Sequence, residues 1–112
     1  MKEGDVALAA LPQADGQLKP RPVLVLRQMP PFGDWLVCGV STQLHQRVAD
    51  LDEVIDPGTG DFASSGLKAA SLIRLGFVTV LPADQFLGII GRISHERHRR
   101  LLQNLCRHLN RT

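Results

Sequence analysis

The chain has 112 residues, 44% of them hydrophobic and 21% charged, with a formal net charge of +2. That length suits a single domain, 1–112, able to bury about 65% of its unfolded surface, and the composition is ordinary for a soluble globular protein. No run of about 18 apolar residues exists to span a membrane, and Met1-Lys2-Glu3-Gly4-Asp5 has no apolar signal core, so a cytoplasmic location is expected.

Residues 5–11 read as a first strand, entered from Gly4 and ended by Pro12. A polar loop with a turn signal at Asp15-Gly16 follows. Next comes Lys19-Pro20-Arg21-Pro22-Val23-Leu24-Val25-Leu26, in which Val23 to Leu26 are apolar without a break. A strand buried on both faces reads that way, and 22–27 is assigned as the second strand. Just before it, Arg21 is held between two prolines that bias its backbone toward the extended region. A guanidinium pinned at the mouth of a buried strand suits planar recognition of phosphate; the plainer alternative is a rim salt bridge.

Pro30-Pro31-Phe32-Gly33-Asp34 turns the chain back into a third strand, 35–40, antiparallel to the second. In that pairing, the end of the third strand lies beside the start of the second. Ser41 and Thr42 then approach Arg21. Residues 51–55 read as a short edge strand kept soluble by Asp50, Asp52 and Glu53, and 57–66 as the most mobile loop. Residues 70–75 and 77–81 are strands broken at Gly76, where a bulge or bend is expected. A turn or single helical turn falls at 82–85, and 87–93 is strand or connector. A helix starts at Ser94, a good N-cap with Glu96 in the first turn. His98, Leu101, Leu102, Leu105, Cys106 and Leu109 share one face of it, and Arg99, Arg100, Gln103, Arg107 and His108 the other.

Cys38 and Cys106 are expected as buried free thiols, and His45, His95, His98 and His108 have no partners at metal-site spacing. Residues 50–61 carry five acids and no base, whereas 92–111 carry six arginines against Glu96, which predicts an electrically two-ended molecule. Short strands with glycine and proline punctuation, closed by one amphipathic helix, argue for a small β-barrel of the α+β class.

The pieces Gly4-Asp5-Val6, Asp15-Gly16, Lys19 to Leu26, Val40-Ser41-Thr42-Gln43, Gly66-Leu67-Lys68 before Ser71-Leu72-Ile73-Arg74-Leu75, and Ile90-Gly91-Arg92-Ile93-Ser94 occur in one order over nearly the whole chain. In that order and spacing the sequence resembles the MazF/PemK-like toxins of type II toxin–antitoxin systems. The resemblance implies an SH3-like β-barrel of the MazF/PemK/CcdB type, a homodimer, and cleavage of single-stranded RNA without a metal or other cofactor. It also implies a cognate antitoxin whose acidic or apolar tail lies over the RNA groove. Carried over by motif, the catalytic positions are Arg21, Ser41 with its neighbour Thr42, and Arg74. One position departs from the pattern. Many members have a carboxylate two residues after the Arg74 position, where this chain has Gly76, so the general base is unassigned.

RNA carries its own nucleophile, the 2′-hydroxyl, so a cleaving protein need only orient it, remove its proton and stabilise the phosphorane. Arg21 suits the developing charge, and Ser41 or Thr42 suits orientation, since an unperturbed hydroxyl is a poor base. Gln17, Lys19, Gln43 and His45 are expected substrate contacts, and His45 is also a candidate replacement base, because histidine as a residue type titrates near neutral pH. A non-catalytic relative that binds nucleic acid or antitoxin is the alternative that Gly76 motivates. No residue supports a related-fold toxin acting on gyrase.

Overall fold

Six strands and two helices follow one another in the computed structural model, which describes residues 1–111: β1 (Asp5–Pro12), β2 (Leu18–Met29), β3 (Asp34–Ser41), β4 (Glu53–Ile55), α1 (Phe62–Ser65), β5 (Ser71–Leu81), β6 (Phe86–Arg92) and α2 (His95–Leu109). The strands form one sheet in the order β4-β5-β3-β2-β1-β6, each neighbouring pair antiparallel. The expected β-rich architecture with a C-terminal helix is present. No ladder joins the outer strands β4 and β6, so the sheet is open and "barrel" describes it only loosely.

The unbroken apolar run of β2 is covered on both sides. Leu24 and Leu26 pack into one cluster with Val6, Ile55, Ile73 and the α2 residues Leu101 and Leu105. Val23 and Val25 face the other way, into a second cluster with Ala7, Ala9, Leu11, Val37 and Leu81. All four β2 side chains are fully buried. β2 also runs four residues further toward its start than expected, because Leu18 to Pro22 pair with β1 alone. The last β2–β3 pair is Val23 with Gly39. Pro20 and Pro22 therefore sit where β2 has no partner on the β3 side, and their missing donors cost no ladder bond.

Ser94 caps α2, its hydroxyl accepting from the Arg97 backbone N–H at 3.1 Å. His98 lies on the buried face and donates from Nε2 to the Leu26 carbonyl at 2.8 Å. Leu26 is the residue skipped where the β2–β3 register shifts, so the histidine satisfies a carbonyl displaced from the ladder.

Arg97 is buried beside it and was not expected in the core. Its Nε and Nη2 donate to both Asp61 oxygens at 2.8 and 3.1 Å, and its Nη1 donates to Glu53 at 2.9 Å. Arg100 also donates to Glu53. The acidic and basic runs are thus partly joined in one network, which corrects the two-ended picture. Asp52, expected on the surface, is buried and accepts the backbone N–H groups of Val48 and Leu75. Residues 57–66, expected as a mobile loop, contain α1. They are held by Asp61 and by Ser64, whose hydroxyl donates to the Arg92 carbonyl. The α1–β6 contact is close: a Cβ at Gly91 would overlap the Ser64 carbonyl oxygen.

Burial alone would raise the Asp61 carboxyl, but the hydrogen bonds and charge of Arg97, with the Ser94 N–H, hold it below the usual carboxylate range. Its contribution is therefore present above the unfolded value of about 3.9 and lost as pH falls through the folded one. Asp61→Ala should cost about 3 kcal/mol at neutral pH by leaving the buried Arg97 with Glu53 as its only carboxylate partner, read from urea midpoints. The gap between wild type and variant should close only below about pH 4.

Cys38 is buried as expected, whereas Cys106 is exposed because its position on α2 points past the edge of the sheet-facing stripe. Burial, and then the negative charge of Asp52, push the Cys38 thiol up. A thiol-reactive disulfide reagent at neutral pH should label Cys106 alone in the native protein, Cys38 reacting only after unfolding.

Candidate functional site

β2 and β3 part company beyond the Val23–Gly39 pair, β2 continuing along β1 and β3 along β5. A cleft of about 440 Å³ opens between them, lined chiefly by Gln13, Arg21, Ser41, Gln43, Arg74 and Phe77. Thr42 and Leu11 also reach it. Counting outward from Val23 and Gly39 explains the meeting. Arg21 and Ser41 each lie two residues past the last pair, so an antiparallel extension sets them opposite one another. Arg74 joins them because it pairs directly with Gly39 on the other side of β3.

The cleft is cationic. Arg21 is exposed and Arg74 half-buried, and among the described residues neither forms an ion pair. No Asp, Glu or His of the described residues lines the cleft. Two guanidinium groups in a recess without counter-charge raise the local potential for an anion. Arg21 is oriented by Gln13, whose Oε1 accepts from Nη2 at 2.7 Å, which leaves the rest of the fork free. Ser41 Oγ accepts from the Gln43 backbone N–H at 3.1 Å. A hydroxyl whose lone pair is occupied in this way still has its O–H to donate, and it faces the same recess as the arginines.

The structure therefore brings together Arg21, Ser41, Thr42, Gln43 and Arg74. It does not bring in Gln17, Lys19 or His45. Gln17 is exposed in the β1–β2 turn, Lys19 is exposed opposite Leu11 without lining the cleft, and His45 is exposed on the 3-10 turn Leu44–Gln46 after β3. Of the lining side chains with hydrogen-bonding or aromatic character, Gln13 and Phe77 escaped sequence reasoning. Gln13 follows the last β1–β2 pair, Pro12 with Leu18, a position set by the hairpin register, which turn chemistry alone does not reveal. Phe77 depends on a slip of β5 against β3: Cys38 pairs with Val78 but Gly39 pairs with Arg74, so residues 75–77 have no partner there. The bulge anticipated at Gly76 is this slip.

Comparison with known proteins comes to the same architecture. The family model for PemK-like, MazF-like toxins of type II toxin–antitoxin systems matches residues 2–109. Among solved structures, the toxin MazF-mt6 of Mycobacterium tuberculosis is similar at 20% identity, with 96% of this chain and 98% of that chain covered and a TM-score of 0.70. At that identity the likeness speaks for the fold. No curated protein is matched.

Proposed function

Because the chain belongs to the PemK-like, MazF-like toxins of type II toxin–antitoxin systems, we propose that it is an endoribonuclease toxin cutting single-stranded RNA in the cleft between β2 and β3. The observation that carries this reading is the pair of guanidinium groups, Arg21 and Arg74, free of any ion pair among the described residues and set beside the Ser41 hydroxyl. Such a recess fits a phosphodiester. In the reaction, the RNA 2′-oxygen attacks its own 3′-phosphorus and loses its proton. The bond to the 5′-oxygen breaks, and that oxygen takes up a proton. The products are a 2′,3′-cyclic phosphate and a 5′-hydroxyl.

Arg21 stabilises the charge that builds on the phosphorane, and Gln13 fixes its fork for that purpose. Arg74 shares the charge from the β3 side. The Ser41 O–H, with Thr42 beside it, donates to a phosphate oxygen or orients the 2′-hydroxyl. Gln43 contacts the substrate from the cleft rim; Gln17, Lys19 and His45 extend its path outside the cleft. The cognate antitoxin inhibits by laying an acidic tail over the same two arginines. Two copies of the chain associate as a homodimer, for which the exposed Val78, Val80, Leu87 and Ile89 supply apolar surface.

A second reading, RNA or antitoxin binding without cleavage, is favoured by one observation: among the described residues no histidine or carboxylate lines the cleft to serve as general base. Incubation with single-stranded RNA in the presence of a chelator separates the two. The proposed enzyme leaves cyclic phosphate ends, and Arg21→Ala loses roughly 100- to 1,000-fold in rate. Arg21→Lys should recover only part of that loss, because an ammonium cannot reproduce the fork. Bound but intact RNA would favour the second reading, and an undiminished Arg21→Ala rate would overturn the site.

A further inference from the structure

Phe77 is an exposed aromatic side chain in the recess that carries Arg21, Ser41 and Arg74. It is 44% exposed although it belongs to β5, whose residues Leu72, Ile73 and Leu75 are buried. Three features place it there. The slip between Gly39–Arg74 and Cys38–Val78 frees residues 75–77 from the ladder, and such a bulge re-aims the side chain it carries. Gly76, next to it, carries no side chain and has open space where a Cβ would stand. Gly39, across on β3, leaves the ring a seat: a Cβ there would come within 3.1 Å of Phe77 Cδ1 and 3.6 Å of Cγ. The ring thus lies over backbone on one side and lines the cleft with Arg21, Ser41 and Arg74 on the other.

An aromatic ring left in water has surface to cover, and a nucleobase covers it well. Base-on-ring stacking tolerates any base, because each has a π-face. The adjacent guanidinium groups hold the phosphate, so the base next in the strand falls within reach of the ring. We infer that Phe77 is a base-stacking platform, which grips the nucleobase neighbouring the scissile phosphate and so positions the strand in the cleft. The inference rests on the ribonuclease reading and adds to it a positioning residue outside the motifs that carry the family resemblance. Phe77 acts on the substrate strand and takes no part in proton transfer.

The test measures binding apart from cleavage. An RNA oligonucleotide spanning a cut site, with 2′-deoxyribose at the cut nucleotide to block attack, is titrated against wild type and Phe77→Ala, Phe77→Leu and Phe77→Trp. Phe77→Ala should weaken binding about 5- to 150-fold, Phe77→Leu by less, and Phe77→Trp should retain wild-type affinity. Thermal melting of each variant verifies folding, and an exposed position is tolerant of all three. Replacing one nucleotide at a time by an abasic residue locates the partner: at that position the Phe77→Ala loss should disappear, as coupled groups are not additive. Equal binding by wild type and Phe77→Ala, or additive losses at every position, overturns the stacking role while leaving the nuclease intact. Wild-type protein that neither cuts nor binds RNA overturns the nuclease reading and the stacking role together.

Discussion

The cleft exists because two neighbouring strands stop pairing and cannot resume. β3 leaves β2 after Gly39, and the next residues of β2 toward its start include Pro22 and Pro20, which have no N–H to offer. An antiparallel ladder needs donors from alternate residues on each side, so β3 has nothing to zip onto and diverges toward β5. On the β1 side the same stretch stays paired, from Leu8 with Pro22 to Pro12 with Leu18. Arg21 is consequently carried on a strand that is rigid along one edge and open along the other. Its guanidinium needs only Gln13 to settle its direction. Rigid support on one side with free access on the other is what a preorganised charge requires.

This arrangement is backed by a sheet that has little freedom to deform. The β2 side chains fill two separate apolar clusters, so a shift of the strand would disturb packing on both faces at once. The one irregularity in its pairing with β3, at Leu26, is repaired by His98 from the helix. A histidine on an apolar helix face has here a structural duty.

How much of this was legible in the sequence follows from what each feature depends on. The meeting of Arg21 with Ser41 and Thr42 needed only two apolar runs, a short turn between them and the direction of pairing, all of which are local. Arg74 could be added by motif resemblance. Phe77 depends on the size of the β5 slip, which is settled by packing between strands far apart in sequence, and Gly76 signalled only that a slip would occur. Gln13 depends on hairpin register. Arg97 left a trace that periodicity could have used: it precedes Leu101 by four residues and Leu105 by eight, on the stripe that faces the sheet, with an unmatched run of acids upstream. A charge in an apolar stripe is discounted by hydropathy, although it can be read as one half of a buried pair. The open edge of the sheet was illegible, since closure depends on whether β4 and β6 meet.

The junction of α2 with the acidic segment has a consequence for how the molecule comes apart. Detaching the helix would strip Leu101 and Leu105 from the core, leave the Leu26 carbonyl without its donor, and expose a carboxylate–guanidinium cluster to separation. These losses fall together, because the helix face that packs and the side chains that pair are interleaved at adjacent positions, Arg97 and His98. Detachment of the packed turns of the helix by themselves is thereby disfavoured, and the amides between His98 and Leu105 should exchange with solvent only on the timescale at which the central strands also open. Strand and helix then behave as one cooperative unit, and an inhibitor pressing on the cleft would meet a scaffold that yields as a whole or not at all.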